Sequence, residues 1–214
     1  MDFTRTRPGD VKAVFFDLGK VILRFNHEDI VERLLSRARP EDRRPRELFA
    51  FLFDANAGLC NRYDEGTISS RDFYGEIDKR FRLNMDFEVF ASLWNGIFTE
   101  DVEVTALMAE VRSRRPVYLL SNVNELHWEH ARERFPSLSA MDGWVLSYRV
   151  RAKKPRPEIY RAALEVAGAG PGESVFIDDL PENTAAAAGC GIYGITFTGI
   201  ERLREDLDAL GLLG

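Results

Sequence analysis

The sequence has little cysteine and no long apolar run, and these absences exclude two classes of protein. Cys60 and Cys190 are its only cysteines in 214 residues, so no disulfide framework is expected and both are interpreted as small core residues. Without a long apolar run, no membrane-spanning helix is expected. Residues 1–11 are polar, with Arg5 and Arg7 where a secretory signal would have an apolar stretch. We therefore predict a cytoplasmic protein.

An excess of positive charge is also absent. Lysine and arginine number 29 against 35 acidic residues, which gives a formal net charge of −6. This balance argues against a nucleic-acid partner but allows a local basic site for a phosphorylated substrate. The three histidines, His27, His127 and His130, lack Cys or His partners at the spacing of zinc ligands. We expect them to be structural or surface residues.

Five short apolar runs, each bounded by turn residues, predict the buried strands of a parallel sheet. Their alternation with helical patterns predicts a doubly wound, Rossmann-like α/β core. The predicted strands are Ala13–Asp17, Val117–Ser121, Trp144–Ser147, Val175–Asp178 and Tyr193–Phe197. The accompanying helical patterns are Val102–Arg114, Pro157–Ala167 and Pro181–Gly189.

A long insertion follows the first predicted strand. Residues 25–100 contain several helical patterns and no convincing strand, which predicts an all-helical unit. An insertion at this point lies over the crevice at the strand ends and can act as a lid. We therefore predict two domains: an α/β core of residues 1–24 and 101–214, and a helical cap of residues 25–100.

Two of the predicted strands end in acidic residues. The first ends at Asp17, and the fourth ends at Asp178 and Asp179. The carboxyl ends of parallel strands border the crevice in which open α/β sheets bind ligands. If the two strands are neighbours, three carboxylates converge there, and a cation such as Mg²⁺ is needed to offset their repulsion.

The chain resembles the haloacid-dehalogenase-like (HAD) hydrolase superfamily over nearly its whole length. Ser121-Asn122 follows the second strand, and Lys153-Lys154-Pro155 precedes a helix. With the acidic strand ends, they form the series Asp, Ser, Lys-Pro, Asp-Asp, which is the order of the four HAD motifs. The segments Phe176–Asn183 and Tyr63–Ser69 are similar to the helical-cap branch of the family. The resemblance implies a HAD core with an inserted helical cap.

The resemblance also implies roles for single residues. Asp17 would attack phosphorus and form an aspartyl-phosphate. Ser121 and Asn122 would bind phosphoryl oxygens. Lys154, which the adjacent Pro155 favours over Lys153, would contact the substrate phosphate and neutralise the charge at Asp17.

The metal site implied by the resemblance consists of oxygen ligands suited to Mg²⁺. They are the carboxylates of Asp17 and Asp179, the main-chain carbonyl of Gly19 and the carboxylate of Asp178. For Asp178 an alternative stays open, because this residue can instead cap the helix that begins near Pro181.

Gly19 departs from the pattern of most phosphatases in the family, which carry a second Asp there as general acid and base. Its loss typically costs about 10²–10⁴ in rate for a poor leaving group. A branch of the family with an Asp-Leu-Gly first motif is similar, and it includes sugar-phosphate phosphatases. Lys20 is unusual even in that branch, and it can either turn into the site as a donor or point to solvent.

We therefore expect Mg²⁺-dependent hydrolysis of a small phosphorylated metabolite, with sugar phosphates among the candidate substrates, by a monomer or homodimer. A 2-haloacid dehalogenase is one alternative, since that class also lacks the second Asp. It needs no metal, however, so the Asp178-Asp179 pair favours the phosphatase. The other alternative is a catalytically weak HAD-like module that binds a phosphorylated ligand.

Overall fold

A parallel sheet of five strands forms the centre of the α/β core. The computed structural model describes residues 10–214, so most of the segment examined for a secretory signal lies outside the described residues. The strands are β1 (Ala13–Phe16), β2 (Leu23–Arg24), β3 (Thr99–Glu100), β4 (Val117–Ser121), β5 (Gly143–Leu146), β6 (Ser174–Asp178) and β7 (Tyr193–Thr196). The large sheet has the order β5-β4-β1-β6-β7, with every neighbouring pair parallel.

Helices connect the strands, and side chains cap several of them. Asn26, Ser69 and Asp101 each accept a hydrogen bond from a main-chain N–H in the first turn of the helix that follows. The helices are α1 (His27–Leu35), α2 (Pro45–Phe53), α3 (Leu59–Asp64), α4 (Ser70–Phe81), α5 (Phe87–Asn95), α6 (Val102–Arg112), α7 (Glu125–Arg134), α8 (Pro136–Ser139), α9 (Ser147–Val150), α10 (Pro157–Ala167), α11 (Pro181–Gly189) and α12 (Ile200–Ala209). None of the helices in residues 10–214 has the length and apolarity needed to cross a membrane.

Strand β1 is apolar throughout because helices cover both faces of the sheet. Val14 and Phe16 pack in one cluster with side chains of α6, α7 and α12. Ala13 and Phe15 point the other way and pack with side chains of α10 and α11. All four are completely buried, as expected for a central strand of a parallel sheet. The predicted doubly wound fold is confirmed.

The strand register brings the predicted site residues to one edge of the sheet. Phe16 of β1 pairs with Leu119 of β4 on one side and with Ile177 of β6 on the other. Asp17 and Asp178 directly follow Phe16 and Ile177 along their chains. The two acidic residues therefore lie side by side at the carboxyl ends of neighbouring strands.

The inserted segment has a hydrophobic cluster of its own. Buried side chains between Ile30 and Ile97 form it, and aromatic rings make up much of it. Tyr63 and Trp94 contact Phe73 with ring centroids 4.3 and 4.9 Å apart. The division at residues 24/25 and 100/101 stays a prediction.

The expectation that residues 25–100 contain no strand is wrong at one end. Thr99–Glu100 forms β3 and pairs antiparallel with β2, so a two-stranded ribbon joins the two ends of the insertion. A strand of two residues is too short to produce an alternating pattern of apolar and polar side chains, and the sequence therefore gave no sign of it.

The turn between α3 and α4 rests directly on the core. Gly66 lies in it with a φ of +67°, and a Cβ atom there would lie 2.1 Å from the carbonyl oxygen of Tyr148. Only glycine fits both the left-handed backbone and this close approach. The segment Tyr63–Ser69, which the sequence singled out as a cap motif, thus includes a contact between cap and core.

Lys20 is strained, and its replacement by glycine is expected to stabilise the protein. Its φ of 57° lies in the left-handed region, which costs an L-residue with a Cβ roughly 1–2 kcal/mol. Lys20→Gly should therefore unfold with a free energy about 1 kcal/mol higher than Lys20→Ala, measured by urea denaturation. Lys20→Ala is the matched control, because it also removes the charge but keeps the Cβ. An alanine variant at least as stable as the glycine variant would contradict this account.

Candidate active site

A buried lysine joins two of the acidic side chains. The Lys154 ammonium lies 2.7 Å from Oδ1 of Asp17 and 2.6 Å from Oδ2 of Asp178. It also donates to the main-chain carbonyl of Leu120 at 3.1 Å. Its side chain is only 1% exposed, and the side chains of Asp17 and Asp178 are 10% and 0% exposed. All three N–H groups of the ammonium therefore have protein acceptors.

Burial and charge act against each other in this cluster. Desolvation alone would lower the pKa of Lys154, but the two carboxylates outweigh it, and the net pKa is raised. Burial raises the pKa of Asp17, and the Lys154 ammonium opposes that shift. Lys154 is thus held in its charged form beside Asp17.

The carboxylate oxygens of Asp178 are already occupied by donors. Oδ1 accepts from the main-chain N–H of Leu180 at 2.8 Å, and Asn183 Nδ2 lies 3.0 and 3.1 Å from the two oxygens. Oδ2 also accepts from Lys154. Leu180 is the residue before α11, so Asp178 anchors the start of that helix. The sequence analysis missed the contact of Asn183 with Asp178, because it depends on how the first turn of α11 is oriented relative to β6.

Three carboxylates are close enough to hold a metal ion. Oxygen atoms of Asp17, Asp178 and Asp179 lie within 4.8 Å of one another. Within residues 10–214, the side chain of Asp179 receives a hydrogen bond only from its own main-chain N–H, and the main-chain carbonyl of Gly19 receives none. Burial and the nearby Asp178 charge raise the pKa of Asp179. This set of hard oxygen donors fits a cation such as Mg²⁺.

Ser121 and Asn122, both expected to bind phosphate, differ in their surroundings. The Ser121 hydroxyl, in a residue that is 1% exposed, has no hydrogen-bond partner in the described part of the chain. The Asn122 amide binds the main chain of Lys154, because Nδ2 donates to the Lys154 carbonyl at 3.0 Å and Oδ1 accepts from the Lys154 N–H at 2.8 Å. The second N–H of Nδ2 has no partner in the described part of the chain, and the expected contact of Asn122 with phosphate stays a prediction.

Phe25 occupies the space beside Gly19. A Cβ at Gly19 would lie 3.1 Å from Cε1 of the Phe25 ring, which is closer than ordinary van der Waals contact. Position 19, which holds Gly instead of the second Asp, therefore also lies against an aromatic ring. This contact could not be predicted, because Phe25 lies outside the four motifs and the direction of its ring depends on the fold.

A cavity of about 300 Å³ extends from the strand ends into the cap. Leu18, Gly19, Ser121 and Asn122 line it on the core side. The aromatic rings that line it are Phe25, Phe49, Phe53, Trp94 and Phe98. The sequence alone could not show which aromatic side chains of the cap face the crevice.

Two further titratable groups line this cavity where the cap meets the core. Burial raises the pKa of Asp64 to about 6, although Lys153 and a hydrogen bond from Asn124 oppose the shift. Burial lowers the pKa of His127 to about 3. The His127 ring is therefore uncharged at neutral pH and stays so well into the acid range.

Comparison with known proteins identifies the family. A profile of haloacid dehalogenase-like hydrolases matches residues 11–191, and the chain belongs to that family. It is 25% identical to the D-ribitol-5-phosphate phosphatase of Bacteroides thetaiotaomicron over 81% of this chain and 85% of that protein. It is equally identical, at 25%, to a sesquiterpene phosphatase of Aspergillus oryzae over 87% of this chain and 90% of that protein.

A solved structure leads to the same family. It is a HAD family enzyme from Bacteroides thetaiotaomicron in complex with magnesium and inorganic phosphate. Its sequence is 27% identical, its TM-score is 0.76, and the match covers 87% of this chain and 93% of that chain. The predicted family, fold class and hydrolase class are confirmed.

Removal of the central cation is expected to destabilise the protein in a pH-dependent way. Lys154→Met leaves buried carboxylates unpaired, which typically costs about 3–5 kcal/mol. Without Lys154 the pKa of Asp17 rises further above its unfolded value, so stability is lost as the pH rises through that pKa. The deficit in the free energy of unfolding, measured by urea denaturation with a chelator present, should therefore be larger at pH 8 than at pH 5.

Lys153→Met is the matched control for this experiment. Lys153 adjoins Lys154 and donates to Asn61 of the cap, and its charge also opposes the raised pKa of the Asp64 carboxyl. Its loss should therefore cost about 1 kcal/mol at pH 5 and somewhat more at pH 8, less than the loss of Lys154 at either pH. An equal deficit for the two variants, or a deficit in Lys154→Met that does not change with pH, would contradict the claim that the Lys154 charge stabilises the buried carboxylates.

Proposed function

We propose that the protein hydrolyses small phosphate monoesters with Mg²⁺ and through an aspartyl-phosphate formed on Asp17. The observation that carries the proposal is the position of Asp17 at the end of β1, beside the Lys154 ammonium and near Asp179. The unpartnered hydroxyl of Ser121 at the end of β4 supports it, because a phosphoryl oxygen would give that hydroxyl an acceptor.

In the proposed reaction a carboxylate oxygen of Asp17 attacks phosphorus, and the bond from phosphorus to the alcohol oxygen breaks. Water then attacks the aspartyl-phosphate, which releases inorganic phosphate and restores the carboxylate. Ser121 donates to a phosphoryl oxygen in both steps. Lys154 keeps Asp17 ionised and offsets negative charge as it builds up on the phosphoryl group.

The metal ion would be held by Asp17, Asp179 and the Gly19 carbonyl. When bound, Mg²⁺ would neutralise phosphate charge and favour its approach to Asp17. Asp178 contributes less directly in this proposal, because Lys154, Asn183 and Leu180 already donate to its oxygens. Its role is to hold Lys154 and the start of α11 in place.

The relatives support a phosphatase more firmly than they support one substrate. A ribitol phosphate is named for one of them, which supports a sugar phosphate, as the sequence analysis considered. A sesquiterpene is named for another of the same identity. We therefore propose a small phosphate monoester here and leave the organic group to the shape and chemistry of the cavity.

The proposal is tested by phosphate release from para-nitrophenyl phosphate. Asp17→Asn should lower kcat at least about 10⁴-fold, because an amide is a poor nucleophile of nearly the same size. An excess of chelator should abolish turnover by the parent protein, and added Mg²⁺ should restore it. Asp10→Asn is the matched control, since Asp10 is an exposed Asp outside the site. Turnover that survives both Asp17→Asn and chelation would refute the proposed mechanism.

Gly19 leads to a separate prediction about leaving groups. With no acid at this position, kcat/KM should fall steeply as the pKa of the leaving group rises, over about 10²–10⁴ across a graded series. Substituted phenyl phosphates provide such a series at nearly constant size. Gly19→Asp in a Phe25→Ala background should flatten the dependence, because the ring that would contact the new side chain is gone.

Phe25→Ala alone is the control for this series, because it opens the space without adding an acid. A flat dependence in the parent protein, with chemistry shown to limit the rate, would mean that another group protonates the leaving oxygen.

A further inference from the structure

The organic half of a bound ester has to lie in the cavity under the cap. This step rests on the proposed function, because it starts from a phosphoryl group held at Asp17 and Ser121. Gly19, Ser121 and Asn122 line the end of the cavity nearest to those groups, and the rest of its wall comes from the cap and the segments that join it. The chemistry of that wall therefore selects the alcohol part of the substrate.

Aromatic rings dominate the wall. His27 and Phe53 stack with ring centroids 4.2 Å apart and planes inclined by 20°. The Phe53 and Trp94 planes are nearly parallel, at 5°, and Phe25 meets Phe98 edge to face at 5.7 Å. The phenylalanine rings among them offer a large apolar contact area but no strong acceptors or donors for hydroxyl groups.

The polar groups in the wall are mostly used within the protein. The Asn124 amide oxygen accepts from the main-chain N–H of His127 at 3.1 Å. The Asn124 amide nitrogen, Nδ2, donates to Oδ1 of Asp64 at 3.1 Å. The His127 ring nitrogens contact the Asn124 amide and the Trp94 carbonyl, both at 3.2 Å. Neither side chain has a hydrogen-bonding position left for a ligand.

The other two amides in the wall are also largely used within the protein. Asn122 uses its amide oxygen and one N–H on the main chain of Lys154 and keeps its second N–H. Asn61 donates to the carbonyls of Asp54 and Ala55 and accepts from Lys153. These polar side chains therefore have few hydrogen-bonding positions left for hydroxyl groups.

Few polar atoms remain for a substrate inside the cavity. Across residues 10–214, the lining atoms without a partner are one carboxylate oxygen each of Asp64 and the exposed Asp54, the second N–H of Asn122, the His27 ring nitrogens and the weakly polar Cys60 thiol, apart from the Ser121 hydroxyl assigned to the phosphoryl group. A polyol would therefore leave several hydroxyls without hydrogen bonds after losing their water, which is unfavourable. An apolar group loses nothing by the same transfer and gains contact with the rings.

We infer that this cavity binds an apolar organic group, so that the enzyme prefers phosphate monoesters of hydrocarbon-rich alcohols, with at most one further donor group, over polyol phosphates. The free oxygen of Asp64 is the acceptor that such a donor would meet. The rings of Phe53, Phe25 and Trp94 contact the hydrocarbon.

The test compares esters of primary alcohols, whose leaving groups are similarly basic, so that the missing acid at Gly19 affects all of them alike. The apolar members are benzyl phosphate and cyclohexylmethyl phosphate. The polar members are ribitol 5-phosphate and glycerol 3-phosphate. We expect kcat/KM to be about 10- to 100-fold higher for the apolar members.

A pair of cap variants tests whether the cavity causes this preference. Phe53→Ser should lower kcat/KM for benzyl phosphate about tenfold and change that for ribitol 5-phosphate by no more than about twofold. Phe51→Ser is the matched control on the same helix. Its ring packs on Phe81 at 5.6 Å and does not line the cavity, so the ratio of the two substrates should stay at the parent value.

The outcomes separate this inference from the proposed function. Turnover of the polyol phosphates as fast as, or faster than, the apolar esters would overturn the inference while leaving a phosphatase in place. An equal effect of Phe53→Ser on both substrates would also overturn it. No turnover of any monoester would instead refute the proposed function. The substrate series on the parent protein decides the matter even if neither variant folds.

Discussion

The contact of the Lys154 ammonium with Asp17 and Asp178 is the constraint on which the rest of the site depends. Three charged groups are buried at the edge of the sheet, and each would be costly there alone. They are tolerated because every N–H of the ammonium has an acceptor and Asp178 has further donors from α11. The ends of β1 and β6 and the segment before α10 are thereby fixed relative to one another.

This constraint also gives the acidic residues two different roles, one structural and one in the proposed chemistry. Asp178 is saturated with donors and stabilises the arrangement. Asp17 accepts one hydrogen bond from a side chain, that of Lys154, and within residues 10–214 Asp179 accepts none from any other residue. The carboxylates that keep free oxygens are thus the ones that face the crevice, where a cation and a phosphoryl group would need them. Within this one cluster, Asp178 therefore contributes to stability, whereas Asp17 and Asp179 are available for the proposed chemistry.

Much of the fold could be predicted because buried parallel strands are continuous apolar runs. Each predicted strand of the large sheet agrees with the observed one to within a residue at either end, whereas the two residues of β3 were too few to leave a pattern. The gathering of Asp17, Asp178 and Asp179 was expected on the condition that the first and fourth predicted strands are neighbours, and the pairing of β1 with β6 meets that condition. The contacts of Asn122, Asn183 and Phe25 could not be predicted, because they depend on which way side chains point between elements distant in sequence.

The Phe25 ring beside Gly19 couples two positions of the chain. A Cβ at position 19 would lie 3.1 Å from the ring, so a larger residue there needs the ring to shift by a few tenths of an ångström. A smaller residue at position 25 would provide that space but would remove the edge-to-face contact with Phe98. Any redesign of the first motif at position 19 therefore has to treat positions 19 and 25 together.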